Sequence, residues 1–508
     1  MAKVYATPGV YIEEKSAFPN SAVPVATAVP AFIGYTQFAM KDKKDLKHVP
    51  TRISSFGEYL LYFGEGPDTT FSLQKDDDPK KIYKLAVKAK RFLLFYCMKH
   101  FFANGGSDCY IVSIGDYNST LTTADFLEED IKEGEVIPRG ILSLLKEPEP
   151  TMLVIPDAMI LGKEGYKKIQ EQMLMHCAKM ASRFAILDVF MDENSELKPD
   201  TREIVKAFRD DIGMKDLMWG AAYYPWLETT IVGSDVIDYN NSIDKESYDI
   251  LIELLKKEVA DNLEQKIIDK KRADAINPEI EKIKTAAGDD IKSLHQTLLA
   301  VSPLYKAILG TLRAKVNLLP PSAAMAGIYS MIDNNIGVFQ SPANISVGSV
   351  IKPSVNITHE EQEDLNVPLN GKAVNAIRTF PGKGVLIWGA RTLDGNSQDW
   401  RYVSVRRTVI FIEQSIKYAV EPYVFAPNDQ TTWTNLRAMI TNFLTNVWQG
   451  GALAGASPEQ AFSVDVGLGT TMTPVDILDG IMRITVKVAV TRPAEFIVIT
   501  FQQKMQES

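Results

Sequence analysis

The stretch that most constrains this chain lies near its end. Phe496-Ile497-Val498-Ile499-Thr500-Phe501 puts apolar side chains on both faces of an extended segment. A strand of that kind needs cover above and below. It stands where chains usually fray unless something ties them down, and an uncovered apolar strand is an aggregation hazard unless a partner sheet receives it. The expected recipient is another copy of the protein. Just upstream, Met482 to Val488 alternates apolar and polar residues, the period of a half-buried strand. Arg492-Pro493 then interrupts the pattern. Pro493 has no N–H for a ladder, so it belongs at a strand start or an edge.

The other end reads in the same way. Residues 1–24 form an arm in which Val10-Tyr11-Ile12 is a short strand candidate, and Pro19 and Pro24 keep the chain around them extended. Between the arms the expectation is a multi-domain α/β chain with mixed α+β character. Its 508 residues set a length prior of about three domains. Val29 to Tyr35, Cys109 to Ile114, Met152 to Asp157 and Phe184 to Asp188 read as strands, and the helix Ile169 to Ser182 makes the last two a βαβ unit. Leu85 to Phe102 has helical apolar spacing and stops at Asn104-Gly105-Gly106. Ile243 to Lys315 is rich in Lys, Glu and Asp, with Leu251, Leu255, Val259, Leu263 and Ile267 at four-residue steps. That pattern predicts a solvent-facing helical excursion, broken at Asn277-Pro278 and at Gly288. A helix is expected to begin after Pro320-Pro321, with Gly327 allowing close packing. Two long helices, Val405 to Val420 and Trp433 to Trp448, precede the final strands.

Bulk properties exclude several classes. The net charge of −9 disfavours a general nucleic-acid binder. No apolar run is long enough to cross a bilayer, and Met1 to Tyr5 lacks the plan of a secretory signal. Cys97, Cys109 and Cys177 are odd in number and far apart, so they read as reduced core thiols of a protein made in the cytoplasm.

An enzymatic reading, an α/β enzyme forming a strand-swapped oligomer, rests on few residues. Asp157 and Asp188 end apolar strands, where α/β enzymes place acids. No phosphate-binding glycine loop precedes a helix, so both are expected to cap helices or loops. Gly382-Lys383-Gly384 and Gly467-Leu468-Gly469 lack the full phosphate-loop spacing and read as tight turns. His359-Glu360-Glu361 has no second histidine at ligand spacing and reads as surface charge. His176 and Cys177 are helix neighbours that point different ways, so a core thiol is favoured over a reactive pair. No catalytic, cofactor or metal residue is assigned.

Taken in order, several segments resemble the contractile tail sheath family, which covers phage tail sheaths and the sheaths of phage-tail-like injection systems. They are Tyr5 to Glu14, Phe101 to Gly106, Leu319 to Gly327 with Tyr329, Ser330 and Asp333, and Pro342-Ala343-Asn344. The densest match runs through Phe380 to Val385, Trp388 to Leu393, Trp400 to Val403 and Arg406-Arg407, and Pro493-Ala494-Glu495-Phe496 closes it. The resemblance implies a non-enzymatic structural subunit that forms a helical homopolymer around an inner tube. Such a sheath contracts to drive the tube through a target envelope, with baseplate and terminal cap proteins as further partners, no direct contact with nucleic acid and no membrane insertion. The particle is a phage tail or an injection system, either cytoplasmic, membrane-anchored or released. Strand exchange between subunits is expected at Val10, Tyr11, Ile12, Phe496, Ile497, Val498, Ile499 and Phe501. Arg406, Arg407 and Arg437 are the candidates for contact with the inner tube or the lattice. The implied organisation is an arm at 1–24, an inner core of 25–50 plus 340–490, and an outward insertion at 51–339. The insertion is α/β to about 235 and helical over 236–339, and 491–508 is the C-terminal arm strand.

Overall fold

The computed structural model describes residues 22–76, 82–88, 91–132, 135–191 and 200–499. Val10, Tyr11, Ile12 and Phe501 lie outside the described residues. The chain divides into two compact units: residues 26–407 with 493–508, and residues 1–25 with 408–492.

The larger unit is organised by one sheet. Its strands are β1 (Pro30–Thr36), β2 (Thr51–Ile53), β3 (Cys109–Asp116), β4 (Met152–Val154), β5 (Phe184–Asp188), β6 (Gly220–Tyr224), β7 (Ile345–Ser346), β8 (Asn375–Phe380) and β9 (Gly384–Ile387). They lie in the order β7-β9-β8-β6-β5-β4-β1-β3-β2. The run from β3 to β8 is parallel, and antiparallel strands finish both edges. Parallel strands covered on both faces read as continuous apolar runs, and all seven residues of β1 are buried. The sheet draws strands from both 25–50 with 340–407 and 51–339, so the expected boundaries near 51 and 339 do not divide it. The compact units part instead within the helix Val403–Val420.

Two buried carboxylates bind the layers together. Asp157, after β4, accepts the Tyr35 N–H at 2.8 Å from β1. It also accepts the Leu93 and Leu94 N–H groups at 2.7 and 3.1 Å, which open α1 (Leu94–Ala103). A Cβ on Gly34 would stand 2.4 Å from Asp157 Oδ2, so β1 needs glycine there. Asp188, at the end of β5, accepts the Ser322 N–H at 2.7 Å and its hydroxyl at 2.5 Å. It thereby caps the helix Ser322–Asn335. Gly327 of that helix lets the Phe101 carbonyl of α1 come close: a Cβ there would sit 2.5 Å from it.

Some elements differ from the sequence expectation. Leu85 is not in a helix: Lys84–Val87 is a strand paired with Phe71–Gln74. The helix begins only at Leu94, where Asp157 takes up its first N–H groups. In the charged excursion, Tyr248–Glu264 buries Leu251, Leu255 and Val259, while Leu263 and Ile267 are exposed. Pro278 lies inside the helix Lys270–Glu281 rather than ending it. It falls in the last turn, where, lacking an N–H, it forgoes the bond to the carbonyl four residues back. The excursion is rooted in the body, because the Leu73 N–H donates to Ser247 Oγ at 2.9 Å.

The smaller unit packs the second part of Val403–Val420 with Gln430–Gln449 and a two-stranded sheet. Ile412, Leu436, Ile440, Phe443, Leu444 and Phe462 form its buried core. Both long helices fall where their apolar stripes place them.

Asp157→Ala would orphan three backbone donors and is expected to cost about 2–4 kcal/mol, read from the denaturant transition of the larger unit. Burial pushes the Asp188 carboxyl up to about 7, against the two Ser322 donors that lower it. A carboxyl raised in the folded state contributes stability at low pH that is lost as pH rises through its folded value. Wild-type protein should therefore gain stability relative to Asp188→Asn as pH falls from about 8 to about 5. Thermal melts of both proteins across that range check this.

Candidate functional site

The strands of the smaller unit are β10 (Phe462–Val466) and β11 (Ile484–Val488), paired antiparallel with Phe462 opposite Val488. Phe462 is buried, while Ile484, Val486 and Val488 are half-buried and pack on the helical core. Thr485 and Lys487 face solvent, as the alternation in the sequence predicts. The Ala489 N–H donates to the Ala461 carbonyl. Antiparallel pairing alternates, so residues 485 and 487 also bond towards β10. The backbone groups of Ile484, Val486 and Val488 therefore point to the other edge, which has no strand partner among the described residues. On the far side, exposed Arg437 donates to the Val466 carbonyl at 2.7 Å and covers that end of β10.

In the larger unit the chain near its end is pinned at one residue. Glu495 accepts from Arg391 Nη2 at 2.6 Å and from Arg391 Nε at 3.0 and 3.2 Å. It also accepts from Tyr402 Oη at 3.1 Å and Asn366 Nδ2 at 2.5 Å. The ion pair is well shielded, with side-chain exposures of 3% for Arg391 and 19% for Glu495. Burial pushes the Glu495 carboxyl up, but the donors outweigh it and hold it below the usual glutamate range. Pro493 to Ile497 wall a groove of about 870 Å³ with Trp388, Tyr402 and Gln362. Directly after the clasp, Phe496, Ile497, Val498 and Ile499 are 68%, 79%, 88% and 69% exposed. They lie in no strand of the described chain.

The arginine candidates divide. Arg406 and Arg407 are buried in their own unit, which corrects their assignment as tube or lattice contacts. The Arg406 guanidinium lies between the Trp219 and Trp400 rings, 4.4 and 4.5 Å from their centroids. Arg407 makes a bidentate pair with buried Asp333 at 2.6 and 3.0 Å and donates to the Thr27 carbonyl. Arg437 alone remains exposed.

The residues behind the enzymatic reading have structural partners. Asp157 and Asp188 have no exposure to solvent beyond 2% and are filled by backbone and hydroxyl donors. Burial pushes Asp157 up to about 6. Burial and neighbouring Arg183 push His176 down to about 3, and burial pushes the Cys177 thiol up to about 12, so neither a thiolate nor an imidazolium forms near neutrality. Gly382 and Gly384 have positive φ in the β8–β9 hairpin, and Gly467 opens a turn closed by the Met472 N–H. His359 pairs with Glu363 at 3.5 Å on the surface. Among the described residues no cluster of three or more His, Cys, Asp or Glu could hold a metal.

Sequence reasoning missed the clasp, although both halves lie in the segments with family resemblance, Trp388 to Leu393 and Pro493 to Phe496. Arg391 and Glu495 are 104 positions apart, and nothing local pairs them.

Residues 396–504 match the phage tail sheath C-terminal domain family. The tail sheath protein of Burkholderia phage BcepMu is 29% identical over 141 residues, which span 27% of this chain and 29% of that relative. A sheath complex of an extracellular contractile injection system, PVC, in its contracted state is similar at 26% identity, with 99% of both chains covered and a TM-score of 0.59. The contracted helical sheath of the anti-feeding prophage is similar at 26% identity and a TM-score of 0.59, covering 99% of this chain and 100% of that one. A baseplate structure of the anti-feeding prophage matches at 26% identity and a TM-score of 0.57, covering 99% of this chain and 100% of that one. Over nearly its whole length this chain is similar to contractile sheath structures, and over 396–504 it matches the phage tail sheath C-terminal domain.

Proposed function

We propose that the protein polymerises helically around an inner tube and contracts to drive that tube through a target envelope. The observation that carries this reading is the tail Phe496–Ile499, apolar and exposed directly after a clamped residue. Among the described residues the outer edge of β11 has no strand partner. The tail of one copy pairs with that edge in another copy. A six-residue strand makes roughly five backbone hydrogen bonds at about 1 kcal/mol net each. Each buried apolar side chain adds about 1.5–3 kcal/mol, against an ordering cost of about 1–2 kcal/mol per residue. A link of that size, repeated at every subunit, holds a lattice together through a large rearrangement.

The inner tube, a baseplate and a terminal cap are the further partners in this reading, and the charged helices between 248 and 316 decorate the outside. No helix of the described residues is long and apolar enough to cross a membrane. The particle is assembled in a bacterial cytoplasm as part of a phage tail or a phage-tail-like injector.

Deleting Phe496 to Ser508 should leave a soluble, folded subunit that forms no tubes by negative-stain microscopy, while the full chain expressed without an inner tube polymerises. Full-length sheaths from the truncated protein would overturn strand exchange at this end.

Contraction in this reading runs on free energy stored at assembly, with the extended lattice held by a barrier. Intact particles should therefore contract on mild heat or denaturant whether or not ATP and magnesium are present. A strict nucleotide requirement would contradict the stored-energy account and favour an enzymatic role.

A further inference from the structure

Glu495 marks a sharp change in the chain. Its carboxylate gathers donors from three elements of one unit: Asn366 at the end of the helix His359–Asn366, Arg391 after β9, and Tyr402 just before the helix Val403–Val420. Arg391 is itself fixed. Its N–H donates to Asn375 Oδ1 at 2.8 Å, and its Nη1 donates to the Gly395 carbonyl at 3.2 Å. One residue further on from Glu495, Phe496 is 68% exposed. Upstream, the Thr491 N–H pairs with the Ala452 carbonyl.

We propose that the Glu495–Arg391 clasp is a positioning device for assembly, fixing the point and direction from which the apolar tail reaches a second copy of this chain. This rests on the strand-exchange reading above and adds a claim to it, that the tether between body and exchanged strand must be short and fixed. Opening the clasp loosens the chain from Pro493 to Glu495, each residue worth about 3.5 Å of extended chain. The effective concentration of a tethered segment falls once its linker exceeds the span it must bridge. A loose root therefore weakens exchange and lets successive subunits differ in spacing. Bidentate pairing gives the root a direction as well as a position, since a guanidinium fork holds a carboxylate in a defined plane. Two polar partners, Tyr402 and Asn366, occupy the remaining acceptor sites, so the carboxylate has one orientation.

Two variants of the full chain test the proposal. Glu495→Gln keeps the shape of the side chain and removes its charge. A four-residue Gly/Ser insertion between Glu495 and Phe496 leaves the clasp intact and adds equivalent slack beyond it. Both should remain folded, with an unchanged thermal transition for the smaller unit. Both should need a subunit concentration about ten-fold or more above wild type for tube growth, and their tubes should lose helical layer lines. Glu495→Gln alone should speed proteolytic cutting near 492–497 in the unassembled subunit. Wild-type tubes from the insertion variant would overturn the proposal, because a merely structural role of Glu495 would leave that variant untouched. If Glu495→Gln fails to fold, the insertion variant decides alone. Tubes from the chain lacking Phe496 to Ser508 would instead refute strand exchange itself, so the two failures are distinguishable.

Discussion

Backbone N–H and C=O groups must find partners, and this structure is arranged around where they find them. Inside the larger unit the donors opening α1 and the helix at Ser322 end on buried carboxylates, Asp157 and Asp188. Those carboxylates accept the cost of burial because they hold a parallel sheet against its helices. At the molecule's margins the same demand is left open. The outer edge of β11 and the tail Phe496–Ile499 carry backbone without a ladder among the described residues. These two segments are the ones that the proposed strand exchange between copies would complete.

Electrostatics separates body from assembly in a similar way. The basic pair Arg406-Arg407 serves the body: one guanidinium is stacked between two tryptophans and the other is neutralised by Asp333. Removing either partner would leave a buried charge uncompensated, which is costly. Arg391 is also buried, but its partner is the last fixed residue before the tail. In the proposed strand exchange its charge would set the root of the exchanged tail.

Periodicity made much of the fold legible. Continuous apolar runs marked β1, β3, β4 and β5, and alternation marked β11. Prolines and glycines marked the helix at Ser322 and the end of α1. The failures have a common cause, which is that side-chain partners distant in sequence override local pattern. Leu85 to Phe102 carries helical spacing, yet Asp157, more than fifty positions away, decides that the helix starts at Leu94. Arg407 reads as a surface charge until Asp333, 74 positions away, is found beside it. The clasp was invisible for the same reason, while the exposed apolar tail was plain because its oddity is local.

Amide hydrogen exchange on subunits and on assembled tubes tests the central claim most directly. Strand completion between copies predicts that the N–H groups of Ile484, Val486 and Val488 exchange fast in the subunit, while those of Thr485 and Lys487, already bonded to β10, are protected in both. In tubes the three outward groups and the tail from Phe496 to Ile499 should become strongly protected together. Intact tubes in which those amides still exchange at the subunit's rate would contradict it.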